Sequence, residues 1–185
     1  GLLHRYPTKI ETMINLETNY PQSDYADDAL YEQARAHLQI DQHNEAINAY
    51  TKLITQYPHS NNAAKASLEI GMAYRTLKTY DKAIEAFKQT IENYAGSEEA
   101  YAALEGLEQV FVETNQISEY LAYTKTLNKI HMQASTSEDS LVYITAELQY
   151  MMGNYEQAAA GLTTYLTSYC PGGRYCTTAQ YYAAN

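Results

Sequence analysis

The chain carries Tyr20-Pro21-Gln22-Ser23, then Tyr57-Pro58-His59-Ser60, then Tyr94-Ala95-Gly96-Ser97. The three tyrosines are 37 residues apart, at 20, 57 and 94, and a fourth copy, Tyr169-Cys170-Pro171-Gly172, follows 75 residues later. Two further marks keep the same step. Asn44-Glu45-Ala46, Tyr80-Asp81-Lys82-Ala83 and Tyr155-Glu156-Gln157-Ala158 fall in one frame, and Asp24 to Tyr31 matches Arg174 to Tyr181. Three marks on one period of this size identify a repeat array, and every later assignment has to fit it.

Each repeat reads as two helices. From Asp28 to Leu38 there is no Gly or Pro, and Ala29, Leu30, Ala34 and Leu38 recur at helical spacing. The polar break Asp41-Gln42-His43-Asn44 follows. Ala46, Ile47, Tyr50, Leu53 and Ile54 then form an apolar stripe. Pro58 ends that helix, and Ser60 and Asn61 are expected to cap the next. Leu68, Gly71, Met72 and Leu77, then Ala83, Ile84, Phe87 and Ile91, repeat the scheme. No stretch alternates apolar and polar residues for long enough to predict a strand.

Gly71-Met72-Ala73-Tyr74 followed by Tyr80-Asp81-Lys82-Ala83-Ile84-Glu85-Ala86-Phe87 resembles a tetratricopeptide repeat. So do Met151-Met152-Gly153-Asn154-Tyr155-Glu156-Gln157-Ala158 and the Pro58 that closes an earlier repeat. The resemblance covers most of the chain. It is strong over 27–95, fair over 138–171 and weak over 101–133. In the weak stretch Tyr120 stands at a small-residue position, and Glu108 stands where Gly71 and Ala146 stand. It implies an all-α fold: an α-solenoid of antiparallel helix pairs, about nine helices forming a right-handed superhelix. Gly71 and Ala83 would be the points where helices touch, and Tyr74 and Phe87 the large core residues. Helix pairing around Tyr120 is expected to be looser or shifted.

One array is expected over 1–185: a half repeat at 6–20, repeats at about 24–58, 61–95, 98–133 and 137–171, and a half repeat at 175–185. Both ends fall inside a repeat. The chain is therefore expected to be a fragment of a longer protein, with end-to-end self-association between uncapped ends. The long period is similar to that of bacterial cell-envelope tetratricopeptide proteins, such as the outer-membrane assembly lipoproteins and the Tol-Pal-associated coordinator. That likeness implies a periplasmic or cell-envelope location, with the cytoplasm left open.

Composition narrows the function. With 22 Asp and Glu against 12 Lys and Arg the formal charge is −10, and no cationic cluster stands out. Nucleic acid is therefore not an expected partner. No apolar run is long enough to span a bilayer, so no direct membrane insertion is expected of this segment. There is no Gly-rich phosphate loop and no Gly-x-Ser-x-Gly elbow. The five histidines, His4, His37, His43, His59 and His131, make no metal-ligand pair on one helix face. No catalytic residue, cofactor or metal site is expected, and the chain is read as a non-enzyme.

The family geometry puts the first helix of each repeat on a concave face. A protein or peptide partner is expected there, on Tyr31, Arg35, Lys65, Leu68, Met72, Arg75, Gln109, Tyr143, Glu147 and Tyr150. Twenty tyrosines and five methionines supply the residue types that interfaces favour. A weaker reading makes Arg35, Lys65 and Arg75 a clamp for an acidic peptide end, although Asp28 and Glu32 would cancel much of that field. The alternative to a binding scaffold is a structural spacer within a larger repeat protein, with no ligand of its own. Cys170 and Cys176 leave two readings open. They flank a turn that can bring them within disulfide reach in an oxidising compartment, or they are small packed residues in a reducing one.

Overall fold

The computed structural model describes residues 5–127 and 136–184. His4, His131 and the end of the third expected repeat, 128–133, lie outside the described residues. Ten helices are present among them: α1 (Arg5–Asn19), α2 (Ala26–Leu38), α3 (His43–Gln56), α4 (Ala63–Thr76), α5 (Tyr80–Asn93), α6 (Glu98–Glu113), α7 (Ile117–Leu127), α8 (Glu138–Met151), α9 (Tyr155–Tyr169) and α10 (Cys176–Ala183). No described residue is in a strand. The sequence estimate of about nine helices is one short, because two half repeats and four pairs hold ten. The chain divides into two compact units, Gly1–Gly106 and Leu107–Asn185.

In the N-terminal unit each helix from α1 to α4 packs on the next in chain order. Alanines make the seams. Ala26, Ala34, Ala46, Ala66 and Ala83 have no exposed surface, so neighbouring backbones approach closely. Large residues fill the space between seams: Leu30, Tyr50 and Leu53 form one cluster with Ala34, Ala46 and Ala66. One repeat on, the fully buried Phe87 lies against two glycines. A Cβ on Gly71 or on Gly106 would sit 2.6 Å from its ring. Tyr74, expected in the core, is only half-buried and lines a cleft described below.

The Tyr-Pro-x-Ser mark is a turn. The Ser23, Ser60 and Ser97 N–H groups donate to the Tyr20, Tyr57 and Tyr94 carbonyls at 2.9, 3.0 and 3.0 Å. The serine hydroxyls then accept from the Tyr25, Asn62 and Ala100 N–H groups at 3.3, 3.0 and 3.1 Å. The cap expected from Ser60 and Asn61 is thus shifted. Asn62 is the N-cap residue but makes no side-chain cap, and Ser60 serves its N–H. Successive turns are tied together. The Tyr57 hydroxyl donates to the Pro21 carbonyl at 2.8 Å, and Asn62 Nδ2 donates to Asp28 Oδ1 at 2.7 Å.

The break inside each repeat is also built the same way four times. Asp41, Lys78, Asn115 and Gly153 have φ of 57, 55, 58 and 81°. The next residue in each case returns its N–H to the carbonyl of His37, Tyr74, Phe111 or Gln149, at 2.8–3.0 Å. This left-handed residue with a six-to-one bond is the Schellman closure of a helix.

The C-terminal unit has its own core, in which Val142, Tyr143, Ala146, Leu162, Tyr165 and Ala179 join α8, α9 and α10. Around α7 the two departures from the family pattern compensate each other. Tyr120 is fully buried, its ring 6.0 Å from Phe111, and its hydroxyl donates to Glu108 at 3.0 Å. The glutamate that replaces a small residue satisfies the phenol that replaces another.

Candidate functional site

In the N-terminal unit the expected binding residues lie on α2 and α4, whose inward packing is done by their alanines and leucines. Arg35 and Lys65 are exposed, Met72 is 41% exposed, and Tyr31, Leu68 and Arg75 are half-buried. Tyr31 rests on Tyr50 with ring centroids 5.6 Å apart. The Tyr50 hydroxyl behind it is buried and, among the described residues, has no hydrogen-bond partner. Burial, with Glu69 next in weight, holds the Tyr50 phenol well above its ordinary range. Burial likewise raises the Glu69 carboxyl, against the pull of Arg35.

Arg35 is already engaged. Its Nη1 lies 2.8 Å from Glu32 Oε1, and Lys9 bonds the other oxygen of the same carboxylate. The Lys9 hydrogen bond is the largest cause of a lowered Glu32 carboxyl, with Arg35 adding to it against burial. The clamp of Arg35, Lys65 and Arg75 therefore has one member neutralised within its own repeat.

In the C-terminal unit Gln109 is exposed, while Glu147 and Tyr150 are half-buried. Tyr143 is 3% exposed and belongs to the core. The expectation that it faces a partner is corrected here: Tyr175 stacks on its ring at 4.3 Å, with 6° between the planes. Spacing along α8 cannot show what the following turn lays over a residue. That turn is closed by a bond between Cys170 and Cys176, S–S 2.10 Å. It also rests on Tyr165, whose hydroxyl accepts from the Tyr175 N–H at 2.8 Å.

Sequence reasoning missed two clefts in the N-terminal unit. One, about 340 Å³, lies between α1 and α3 and is lined by Ile14, Glu17, Leu30, His37 and Lys52. The other, about 470 Å³, lies between α3 and α5 and is lined by Thr51, Ile54, Ser67, Tyr74 and Gln89. These residues correspond one for one at a step of 37. The first cleft is crossed by an ion pair, Lys52 Nζ to Glu17 Oε2 at 2.7 Å. The equivalent residues of the second, Gln89 and Ile54, are not an ionic pair.

Among the described residues no group of three or more His, Cys, Asp or Glu is placed to hold a metal ion. No described helix is long and apolar enough to cross a membrane.

No curated protein matches the sequence. Solved structures do. The chain is similar to MamA, with TM-score 0.53 and 15% identity over 85% of each chain. It is similar to the nearly identical TPR-like repeats of a Podosopora anserina kinesin light chain, with TM-score 0.53 and 15% identity over 90% of each. YrrB, described as a TPR protein with an unusual peptide-binding site, gives TM-score 0.51 and 16% identity over 94% of this chain and 81% of that one. Likeness at these identities speaks to the fold alone. Two family models described as tetratricopeptide repeat match residues 31–98 and 139–169. These spans together take in just over half of the sequence, they fall on the helix pairs described above, and the chain belongs to the tetratricopeptide-repeat family.

Proposed function

We propose that the chain is a non-catalytic scaffold that binds a protein or peptide on the exposed face of its first helices. The observation that carries this reading is the placement of Arg35, Lys65 and Met72. These residues sit on α2 and α4 at positions that core packing leaves free, and Met72 keeps 41% of its surface in water. Arg and Met are enriched where proteins meet, and a methionine adapts to varied partners. Tyr150 occupies the matching face of α8. The Cys170–Cys176 bond fits a disulfide-permitting compartment, and with it a place in a bacterial cell-envelope complex. A second copy meeting the exposed Tyr181 of α10, 66% accessible, is the form that self-association would take.

The test is affinity capture with the chain and with an Arg35→Ala, Lys65→Ala, Met72→Ala variant as baits, using cytosolic and envelope extracts kept apart. A partner retained only by the unaltered chain is the expected result, and the extract that yields it gives the compartment. Equal capture by both baits moves the site off α2 and α4. Empty lanes from both extracts favour the spacer.

A further inference from the structure

The α8–α10 face of the C-terminal unit carries a carboxylate set among tyrosines. Glu147 is one helical turn from Tyr143 on α8 and nearly one from Tyr150. The Tyr143 hydroxyl donates to Glu147 Oε1 at 2.8 Å. α10 and the turn before it supply two more rings. Tyr175 stacks on Tyr143, and Tyr182 lies 4.9 Å from Tyr150. Burial and then the Glu147 hydrogen bond raise the Tyr143 phenol, with Tyr182 and Tyr175 adding to them.

Among the described residues Glu147 has that one hydrogen bond and no ion pair. Among the described residues the cation in this neighbourhood is Arg174. It lies over the Tyr175 ring at 5.6 Å and bonds through its backbone to Asp139, two turns of α8 away from Glu147. Register shows that the carboxylate is particular to this repeat. The equivalent positions hold Arg35, Met72 and Gln109. Beside the cluster is an apolar shelf. Tyr155, 5.4 Å from Tyr150, is 64% exposed, and Met151 and Met152 are 69 and 59% exposed.

We propose that this face seats a lysine or arginine side chain of the protein partner, the cation meeting Glu147 beside the paired Tyr150 and Tyr182 rings and an adjoining apolar residue lying on Met151, Met152 and Tyr155. The inference rests on the scaffold reading and names the chemistry of its partner. A carboxylate supplies the opposite charge, and ring faces carry the negative side of an aromatic quadrupole, so both attract a cation. Tyrosine surfaces accept apolar side chains at low ordering cost, and methionine adapts to their shape.

The experiment is an amide NMR titration of the full chain with three capped pentapeptides: Gly-Leu-Lys-Leu-Gly, the same with acetyl-lysine, and the same with glutamate. The lysine peptide is expected to shift amides of 143–155 and 176–183, and to bind at least tenfold more tightly than the other two. Glu147→Gln keeps an acceptor for the Tyr143 hydroxyl while removing the charge. It is expected to leave the spectrum folded and to erase the preference for lysine. Equal binding of lysine and acetyl-lysine peptides on this face overturns the cation site while leaving the scaffold reading standing. Shifts confined to other residues, no shifts with any peptide, or an unchanged preference in Glu147→Gln also overturn it. The capture experiment reads the scaffold independently of these outcomes.

Discussion

Gly71→Ala should destabilise the chain by about 2 kcal/mol, although alanine is the better helix former. The added Cβ would lie 2.6 Å from Phe87 Cδ1 and Cε1 and 3.1 Å from Cγ. Carbon atoms rest at roughly 3.5–4.0 Å, so about 1 Å must be found. The ring cannot retreat. Phe87 is fully buried, and a Cβ at Gly106 would itself be 2.6 Å from Cζ and 2.8 Å from Cε1. Overpacking costs about 1–3 kcal/mol, and a ring held between two backbones belongs at the upper end. Helix propensity returns about 1 kcal/mol. The net loss, about 2 kcal/mol, should lower Tm by roughly 4–8 °C in a chain of this length. Urea and thermal unfolding followed by circular dichroism would read it. Phe87→Leu alone leaves a cavity and is also destabilising. In combination it frees the space that the new methyl needs, so the double variant should be less destabilised than the sum by about 1 kcal/mol or more. A Gly71→Ala chain as stable as the original, or strict additivity with Phe87→Leu, would refute the wedge.

Lys78→Gly should stabilise the chain by roughly 0.5–1 kcal/mol in urea unfolding, because the left-handed backbone at φ 55° strains a side-chain-bearing residue more than glycine's extra unfolded freedom costs. Glu69→Gln should be more stable than the parent at about pH 7.5 and equal to it near pH 3.5. Burial raises the Glu69 carboxyl in the folded state, so its penalty is absent below the ordinary carboxylate range and sets in as pH rises through the raised value. A gain that persists at acid pH would show that charge is not its cause. Reduction with dithiothreitol should remove about 2 kcal/mol of loop constraint. Faster amide exchange in α10, with little change in α1 to α5, is the expected pattern.

Much of this fold can be read from the 37-residue step, because a solenoid repeats its packing as faithfully as its spacing. Gly71 was readable as a point of helix contact and Phe87 as a core residue, but that the ring fills the space left by the glycine was not. The inner turns were not. Three of the four left-handed residues are Asp41, Lys78 and Asn115, and they lack the glycine that announces such a turn at Gly153. Their conformation is imposed by the helices on either side. Candidate binding residues were legible as helix positions but not as surfaces. Tyr74 and Tyr143 exchange the expected roles, one half-buried and one buried, because exposure depends on the neighbouring repeat. Twenty tyrosines gave no signal to divide core from rim, since a phenol suits both.

Tyr31 and Tyr143 hold the same register in the first and fourth repeats, and the comparison shows how one scaffold presents different chemistry. The residue opening the next first helix is Asn62 in one case and Tyr175 in the other. Asn62 turns its amide to Asp28 and leaves Tyr31 half-buried against Tyr50. Tyr175 lies flat on Tyr143 and covers it. One turn further along, the two repeats carry opposite charges at one position, Arg35 and Glu147. The guanidinium is held by Glu32 in its own helix, and Lys9 shares that carboxylate. Such exposed pairs are screened by solvent and contribute little, but they still have to be broken before either charge can serve a partner. Glu147 accepts a phenol and, among the described residues, has no cation to give up. An incoming basic group would therefore gain its attraction in the fourth repeat without first displacing a competitor, whereas an acidic group arriving at Arg35 would have to compete with Glu32. The uneven satisfaction of these two charges, more than the count of cations or anions on each face, makes α8 and α10 the place where a charged partner group should seat.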